Sequence, residues 1–479
     1  MSTMLQFVDK PAQMPSKQEA KARVGNFQEL YAPFPQAQAA EQSSRCSQCG
    51  VPFCQTGCPL QNNIPDWLKL AAEGRMKEAY QLSASTNNLP EICGRICPQD
   101  RLCEGSCVLE ISEHEAVTIG AIEKHITEEA WKQGLIVPVV PAAERPESVG
   151  IIGAGPAGMS AAEELRKLGY QVHVYDRHDR AGGLMIYGIP NFKLEKEVVE
   201  RRTQHLEQSG VVFHLNIDIG RDVTFEELRN RHDAVLIATG VYQSRDLKAP
   251  GVALSGIEPA LDFLTAYNRL CLGDPLDAET KARFDVAGKN VVVIGGGDTA
   301  MDCVRTSIRQ QAASVTCLYR RDQANMPGSQ REVQNAIDEG IVFDWMKSPQ
   351  AFLGDDDNHV NAVRVQEMRL GQADAQGRRR VEAVPDAIAT RKADMVILAL
   401  GFEPEPMQEM LDTRLEVTEW QTLRASVDDG RTSISGVYAA GDIVRGASLV
   451  VWAIRDARLA VESIHYDLQQ RTNVVKEIS

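Results

Sequence analysis

The stretch VGIIGAGPAGMSAAEELRKLGYQVHVYDR, residues 149–177, decides the reading of the fold. An apolar run opens into glycines, a helical pattern follows, and a second apolar run ends at Asp176. That order of strand, glycine turn, helix and strand binds a dinucleotide. Gly153 allows the tight turn, Gly155 lets the backbone approach a pyrophosphate, and Gly158 lets helix and sheet pack closely. Pro156 and Ala157 complete the turn, and the helix start offers free N–H groups and a positive dipole end to phosphate. Asp176 suits a ribose diol. The bland alternative is a tight turn alone.

The pattern repeats in VVVIGGGDTAMDCVRTSIRQQAASVTCLYRR, residues 291–321, with Gly295, Gly297, Asp298, Thr299 and Ala300 in the turn. Its second strand ends differently, at Arg320 and Arg321. A guanidinium pairs with a 2′-phosphate where a carboxylate would repel it, so the expected nucleotide is NADPH. A solvated basic strand end is the alternative. DAVLIATG (233–240) and DMVILALG (394–401) also repeat, as apolar strands of the kind buried in parallel sheets. The late segment GVYAAGDIVRGASLVVWAIRDARLAVESI (436–464) reads as strand, turn at Gly441 and Asp442, and amphipathic helix, without opening a third repeat. The economical arrangement inserts the second dinucleotide unit into the first.

Eleven cysteines are present, eight of them between Cys46 and Cys107. CSQCGVPFCQTGC carries Cys46, Cys49, Cys54 and Cys58, and CGRICPQDRLCEGSC carries Cys93, Cys97, Cys103 and Cys107. Such clustering suits metal or cluster ligands, and the count suits two 4Fe-4S clusters. Disulfides and a structural zinc site are the alternatives; neither group shows the regular paired knuckles of a zinc ribbon. The proline-containing stretch VPVVPAAERPES (137–148) separates this region from the first glycine turn. A formal net charge of -15 argues against a nucleic-acid partner. No signal pattern or membrane-spanning apolar run is visible, so a cytoplasmic location is expected.

With AGGLMIYGIPNFKL (181–194), containing Gly183, and AAGD (439–442), the chain resembles the two-dinucleotide-domain flavoproteins that include adrenodoxin-type ferredoxin reductases. That resemblance implies FAD at the first turn, contacted by Asp442, with the following helix aimed at the isoalloxazine. Across nearly the whole chain, cysteine spacing, the YGIP segment and both turns resemble the small (beta) subunits of NADPH-dependent glutamate synthase. The resemblance implies that NADPH reduces FAD at N5, with no catalytic side chain, and that electrons pass through two 4Fe-4S clusters. The implied acceptor is a large (alpha) FMN-containing subunit that makes L-glutamate from L-glutamine and 2-oxoglutarate. A reductase subunit with a dihydropyrimidine- or ferredoxin-type acceptor, or a non-catalytic redox adaptor, is the alternative.

A further resemblance, to the N-terminal domain of dihydropyrimidine dehydrogenase, implies the ligand sets. It implies Cys46, Cys49, Cys54 and Cys107 for one cluster and Cys58, Cys97, Cys103 and Glu123 of TIGAIE for the other, with Cys93 spare; the alternatives are two sets of four cysteines, with Cys93 completing the second, and an exposed helical glutamate at Glu123. The expected fold is α/β, two Rossmann-like domains preceded by a mainly helical iron–sulfur domain. The expected boundaries are 1–147 for the cluster domain, 148–287 with 430–479 for FAD, and 288–429 for NADPH.

Overall fold

The computed structural model describes residues 4–373 and 379–478. The first part is helical. In the helix Ile64–Ala72, Ile64, Trp67, Leu68 and Ala71 recur at helical spacing and form one buried stripe. It packs against the helix Ile119–Lys132, which turns Ile122 and Ile126 into the same core. Pro65 and Pro90 fall in the first turns of their helices, where a missing N–H costs nothing.

Two parallel five-stranded sheets follow. In the first, the spatial order is Val437–Ala439, Ala234–Ile237, Ser148–Ile152, Gln171–Asp176 and Val211–Leu215. Ala234–Ile237 is buried at every position, as a strand covered on both faces must be. The second sheet runs Ile257–Pro259, Met395–Leu398, Asn290–Ile294, Ser314–Tyr319 and Val342–Trp345. Because Val437 pairs with Val235 after the second sheet is complete, the chain returns to finish the first unit. The second Rossmann-like unit is therefore inserted in the first. The last helix, Val450–Ile478, then buries Ile454, Ala457, Val461 and Ile464 against the first sheet's core.

Two features had no counterpart in the sequence reading. The strands Lys347–Gly354, Val360–Ala373 and Arg379–Lys392 form an antiparallel sheet attached to the inserted unit. Gln243–Ser244 and Phe402–Glu403, on the two connections between the units, pair antiparallel as a short ribbon. Buried ion pairs join the parts: Arg202 to Glu91 at 2.7 Å links the first Rossmann-like unit to the helical part, and Arg23 to Glu339 at 2.8 Å links the N-terminal segment to the inserted unit. Among the described residues no helix is long and apolar enough to cross a membrane.

Candidate functional site

At the first glycine turn the missing side chains have different causes. A Cβ on Gly153, whose φ is +103°, would lie 2.4 Å from Ala238 O, and one on Gly158 would lie 1.9 Å from Gly153 O. Both are demanded by the fold. A Cβ on Gly155 would meet nothing nearer than Gly183 Cα at 4.0 Å, so protein packing does not require that glycine. It faces a cavity of about 240 Å³ walled by Gly153, Pro156, Ala157, Asp176 and Asp442, an open cradle that fits a pyrophosphate. Asp176 ends its strand with one oxygen accepting from Ala154 N at 2.7 Å and the other from His178 N at 2.8 Å. Asp442 accepts from Ser448 N at 3.1 Å and Ser448 Oγ at 2.6 Å, and burial raises its carboxyl above the ordinary value. Gly183 and Gly441 lie behind the wall: a Cβ on Gly183 would come within 2.8 Å of Gly155 Cα, and one on Gly441 within 3.1 Å of Ala157 Cβ. Leu449 and Val450, at the start of the last helix, close another side.

The second turn opens on a cavity of about 640 Å³ lined by Gly295, Gly297, Thr299, Arg320 and Arg321. Gly297 repeats the role of Gly155, for a Cβ there would meet nothing within 4 Å. Ala300 is fully buried at the position equivalent to Gly158. Among the described residues neither Arg320 nor Arg321 has a carboxylate within ion-pair distance, and Arg321 Nε is buried without a hydrogen-bond partner. Two unpaired guanidiniums on a cavity wall fit a phosphate. Arg245 and Lys347, which sequence reasoning missed, add two cations to the same wall. Arg245 follows the strand Gln243–Ser244 and Lys347 opens the strand Lys347–Gly354, both remote from the turn in sequence, and no local pattern marks them. Asp298 faces the first cavity instead, where its carboxylate accepts from Ser329 N at 3.0 Å.

The cavities meet. Thr299 lines both, and the first cavity is also walled by Cys97 and Pro98 of the helical part. No disulfide joins the eight cysteines, which fall into two neighbourhoods. Cys54 is pushed up to about 12 by burial, reinforced by Cys46, Cys107 and Cys49 around it. Cys58 is pushed up to about 11 by burial, reinforced by Glu123 and Cys93. Cys97 interacts with Cys93, Glu123, Cys103 and Cys58. Burial disfavours the thiolate form of these cysteines, and a cationic centre bound among them would favour it. Gln48 donates to Cys46 Sγ through N and Nε2, each at 3.4 Å.

Glu123 is 7% exposed. Its Oε1 accepts from Asn62 Nδ2 at 3.1 Å, Asn87 Nδ2 at 3.1 Å and Ser83 Oγ at 3.4 Å. Burial nevertheless pushes its carboxyl up to about 7. Cys93, buried beside it, approaches Asn87 Oδ1 at 3.7 Å.

The two linked Rossmann-like units, the two glycine cradles and the thiol-rich neighbour define an NADPH-dependent flavin and iron–sulfur oxidoreductase. Residues 23–135 match the family described as dihydropyrimidine dehydrogenase domain II, 4Fe-4S cluster, and residues 147–457 match the pyridine nucleotide-disulphide oxidoreductase family. The glutamate synthase [NADPH] small chain of Azospirillum brasilense is 58% identical, covering 96% of this chain and 96% of that one. The small chain of Escherichia coli K12 is 44% identical, over 96% and 98% respectively. The structure of Mycobacterium tuberculosis FprA in complex with NADPH superposes with a TM-score of 0.58 at 21% identity, covering 69% of this chain and 86% of that one. The chain belongs to the family of NADPH-dependent glutamate synthase small chains. Its cofactors are FAD, NADPH and 4Fe-4S clusters.

Proposed function

We propose that this chain is the cytoplasmic electron-input subunit of glutamate synthase, delivering electrons from NADPH to a large FMN-containing subunit that makes L-glutamate from L-glutamine and 2-oxoglutarate. One observation carries the reading: a single cavity is walled by the first glycine turn, by Thr299 of the second and by Cys97 of the thiol-rich part. Entry and exit for electrons therefore share one chamber. FAD, when bound, supplies the conversion of a hydride pair into single electrons.

The residues of this chain bind and orient. In this assignment Gly153, Gly155, Pro156, Ala157, Gly158, Asp176, Gly183, Gly441 and Asp442 form the FAD site. Gly295, Gly297, Thr299, Ala300, Arg320 and Arg321 form the NADPH site, and Asp298 of the same turn faces the first cavity. Cys46, Cys49, Cys54 and Cys107 hold one cluster, and Cys58, Cys97, Cys103 and Glu123 the other. In this reading the units divide near residue 147 and at the connections that carry Gln243–Ser244 and Phe402–Glu403, ahead of the expected 287 and 430, since Ile257–Pro259 pairs within the second sheet and Met407, Leu415 and Leu423 pack in the first unit's core. The test is to assay the purified chain with NADPH and an artificial electron acceptor, alone and with the large subunit. NADPH oxidation without glutamate in the first case, and glutamate synthesis in the second, is expected. Glutamate formation by the chain alone would overturn the division of labour.

A further inference from the structure

The first cavity carries a charge that hydride transfer does not by itself require. Lys193 follows the YGIPNF segment, and its Nζ lies 2.8 Å from Asp302 Oδ1 and 3.7 Å from Glu332 Oε2. Its side chain is 13% exposed. Burial opposes the charged form, but Asp302, Glu332 and Asp298 outweigh it and raise the lysine above its ordinary pKa, so the ammonium persists. The carboxylates belong to the inserted unit, and Asp302 and Asp298 line the same cavity as Lys193. Asp302 lies one turn into the helix Asp298–Arg309 that starts at the second glycine turn, and Glu332 lies on the helix Gln330–Asp338.

The cavity has two distinguishable ends. At one, Gly153, Asp176, Thr239 and Tyr242 also line a smaller pocket beside Arg177 and Met407. At the other, Cys97, Pro98, Lys193 and Asp298 also line a pocket of about 80 Å³ that reaches into the helical part. A ring that takes a hydride from nicotinamide and returns electrons to a cluster must lie near both Thr299 and Cys97. Lys193 stands with that pair. A hydride carries two electrons and one proton: the nicotinamide C–H bond breaks, the flavin N5–H bond forms, NADP⁺ is left, and the ring gains one negative charge. In a site closed off from water, a fixed cation beside that ring stabilises the added charge strongly.

We propose that Lys193 supplies the fixed positive charge that stabilises the flavin ring after hydride transfer, and that Asp302 and Glu332 set how much of that charge the ring feels. The proposal rests on the assignment of the first cavity to FAD. Its consequence is that the unit binding NADPH also sets the driving force at the flavin. The N-terminus of the last helix supplies positive potential from a different wall, so removing Lys193 lowers the potential without abolishing reduction.

The test is a dye-equilibrated redox titration of the reconstituted holoprotein, following flavin absorbance and reading the clusters separately by electron paramagnetic resonance. Lys193→Met is expected to lower the equilibrium constant for flavin reduction at least tenfold, about 30 mV for a two-electron couple. Lys193→Arg should stay near the parent, and Asp302→Asn should shift the potential upward. The opposite signs separate charge from damage to the fold, which has no reason to raise the potential in one variant and lower it in the other. If Lys193→Met does not fold, Lys193→Gln, which removes the charge but keeps a donor for Asp302, is titrated in its place. An unchanged potential in a flavin-loaded Lys193→Met or Asp302→Asn protein overturns the role of Lys193. Gly155→Val tests the underlying assignment: if it keeps its full complement of FAD, the cavity itself has been misassigned.

Discussion

Replacing Gly158 by alanine drives a Cβ to 1.9 Å from Gly153 O, a backbone atom that cannot step aside. That substitution should destabilise the chain by more than the ~1–3 kcal/mol of ordinary overpacking. Gly155→Ala, with open space before it, should leave the thermal midpoint of the flavin-free chain unchanged while cutting flavin retention. Melting curves and flavin content on both variants check the contrast; equal loss of stability would contradict it. At the second turn, alanine at Arg320 and Arg321 removes charge-assisted contacts worth ~1.5–3 kcal/mol each, so NADPH binding should weaken about tenfold or more per residue. NADH binding, measured on the same variants, should barely change, and an equal loss for both nucleotides would refute the assignment. Both turns are legible in sequence because the motif is local. Glu123 is different: only family resemblance nominates it, since its cradle comes from Asn62, Ser83 and Asn87, which lie far from it in the chain. Iron content and low-temperature electron paramagnetic resonance in Glu123→Ala and Cys93→Ser proteins separate the two candidates. Loss of a cluster in the glutamate variant alone is expected.

At the scale of elements, the repeated parallel strands can be read because full burial leaves a continuous apolar run, as in Ala234–Ile237. The antiparallel strand Arg379–Lys392 escapes that reading because its side chains are mostly exposed and interspersed with charge. Equally hidden is the docking of the N-terminal segment on the inserted unit. There Glu339, with a fully buried carboxylate, receives Arg23 at 2.8 Å, Arg305 at 2.8 Å and Arg309 at 2.7 Å. Glu339→Gln leaves Arg309 without a carboxylate, while Arg305 keeps Glu332 and Arg23 keeps Asp338, and should cost ~3–5 kcal/mol in denaturant unfolding. Burial by itself would raise this carboxyl, but Arg309 and Arg305 hold it down at about 2. With a folded value below the unfolded value of about 4.3, its contribution is complete above the unfolded value and lost as pH falls toward about 2. The acid limb of the stability curve should therefore be shallower in Glu339→Gln than in the parent. An identical acid limb in both would show that this carboxylate does not couple the segments.

For the whole molecule, sequence repetition is enough to imply two dinucleotide units with one inserted in the other, and the late AAGD return is enough to imply where the chain goes back. What the linear pattern does not convey is how the three parts face each other. Thr299 and Cys97 share one chamber only because the helical part, through Arg202–Glu91 and Arg331–Glu104, is fixed against both Rossmann-like units. On the proposed assignment, electrons run from the second cavity through the first to Cys58, Cys97 and Cys103, and onward to the group around Cys54. The most direct measurement is anaerobic rapid mixing of NADPH with the reconstituted chain and its large subunit, using the parent and Cys97→Ser, while FAD bleaching and FMN reduction are followed together. FAD should bleach in both proteins, and FMN should be reduced only through the parent. Undiminished FMN reduction through a Cys97→Ser chain that lacks its cluster, or FAD that stays oxidised in the parent, would contradict that route.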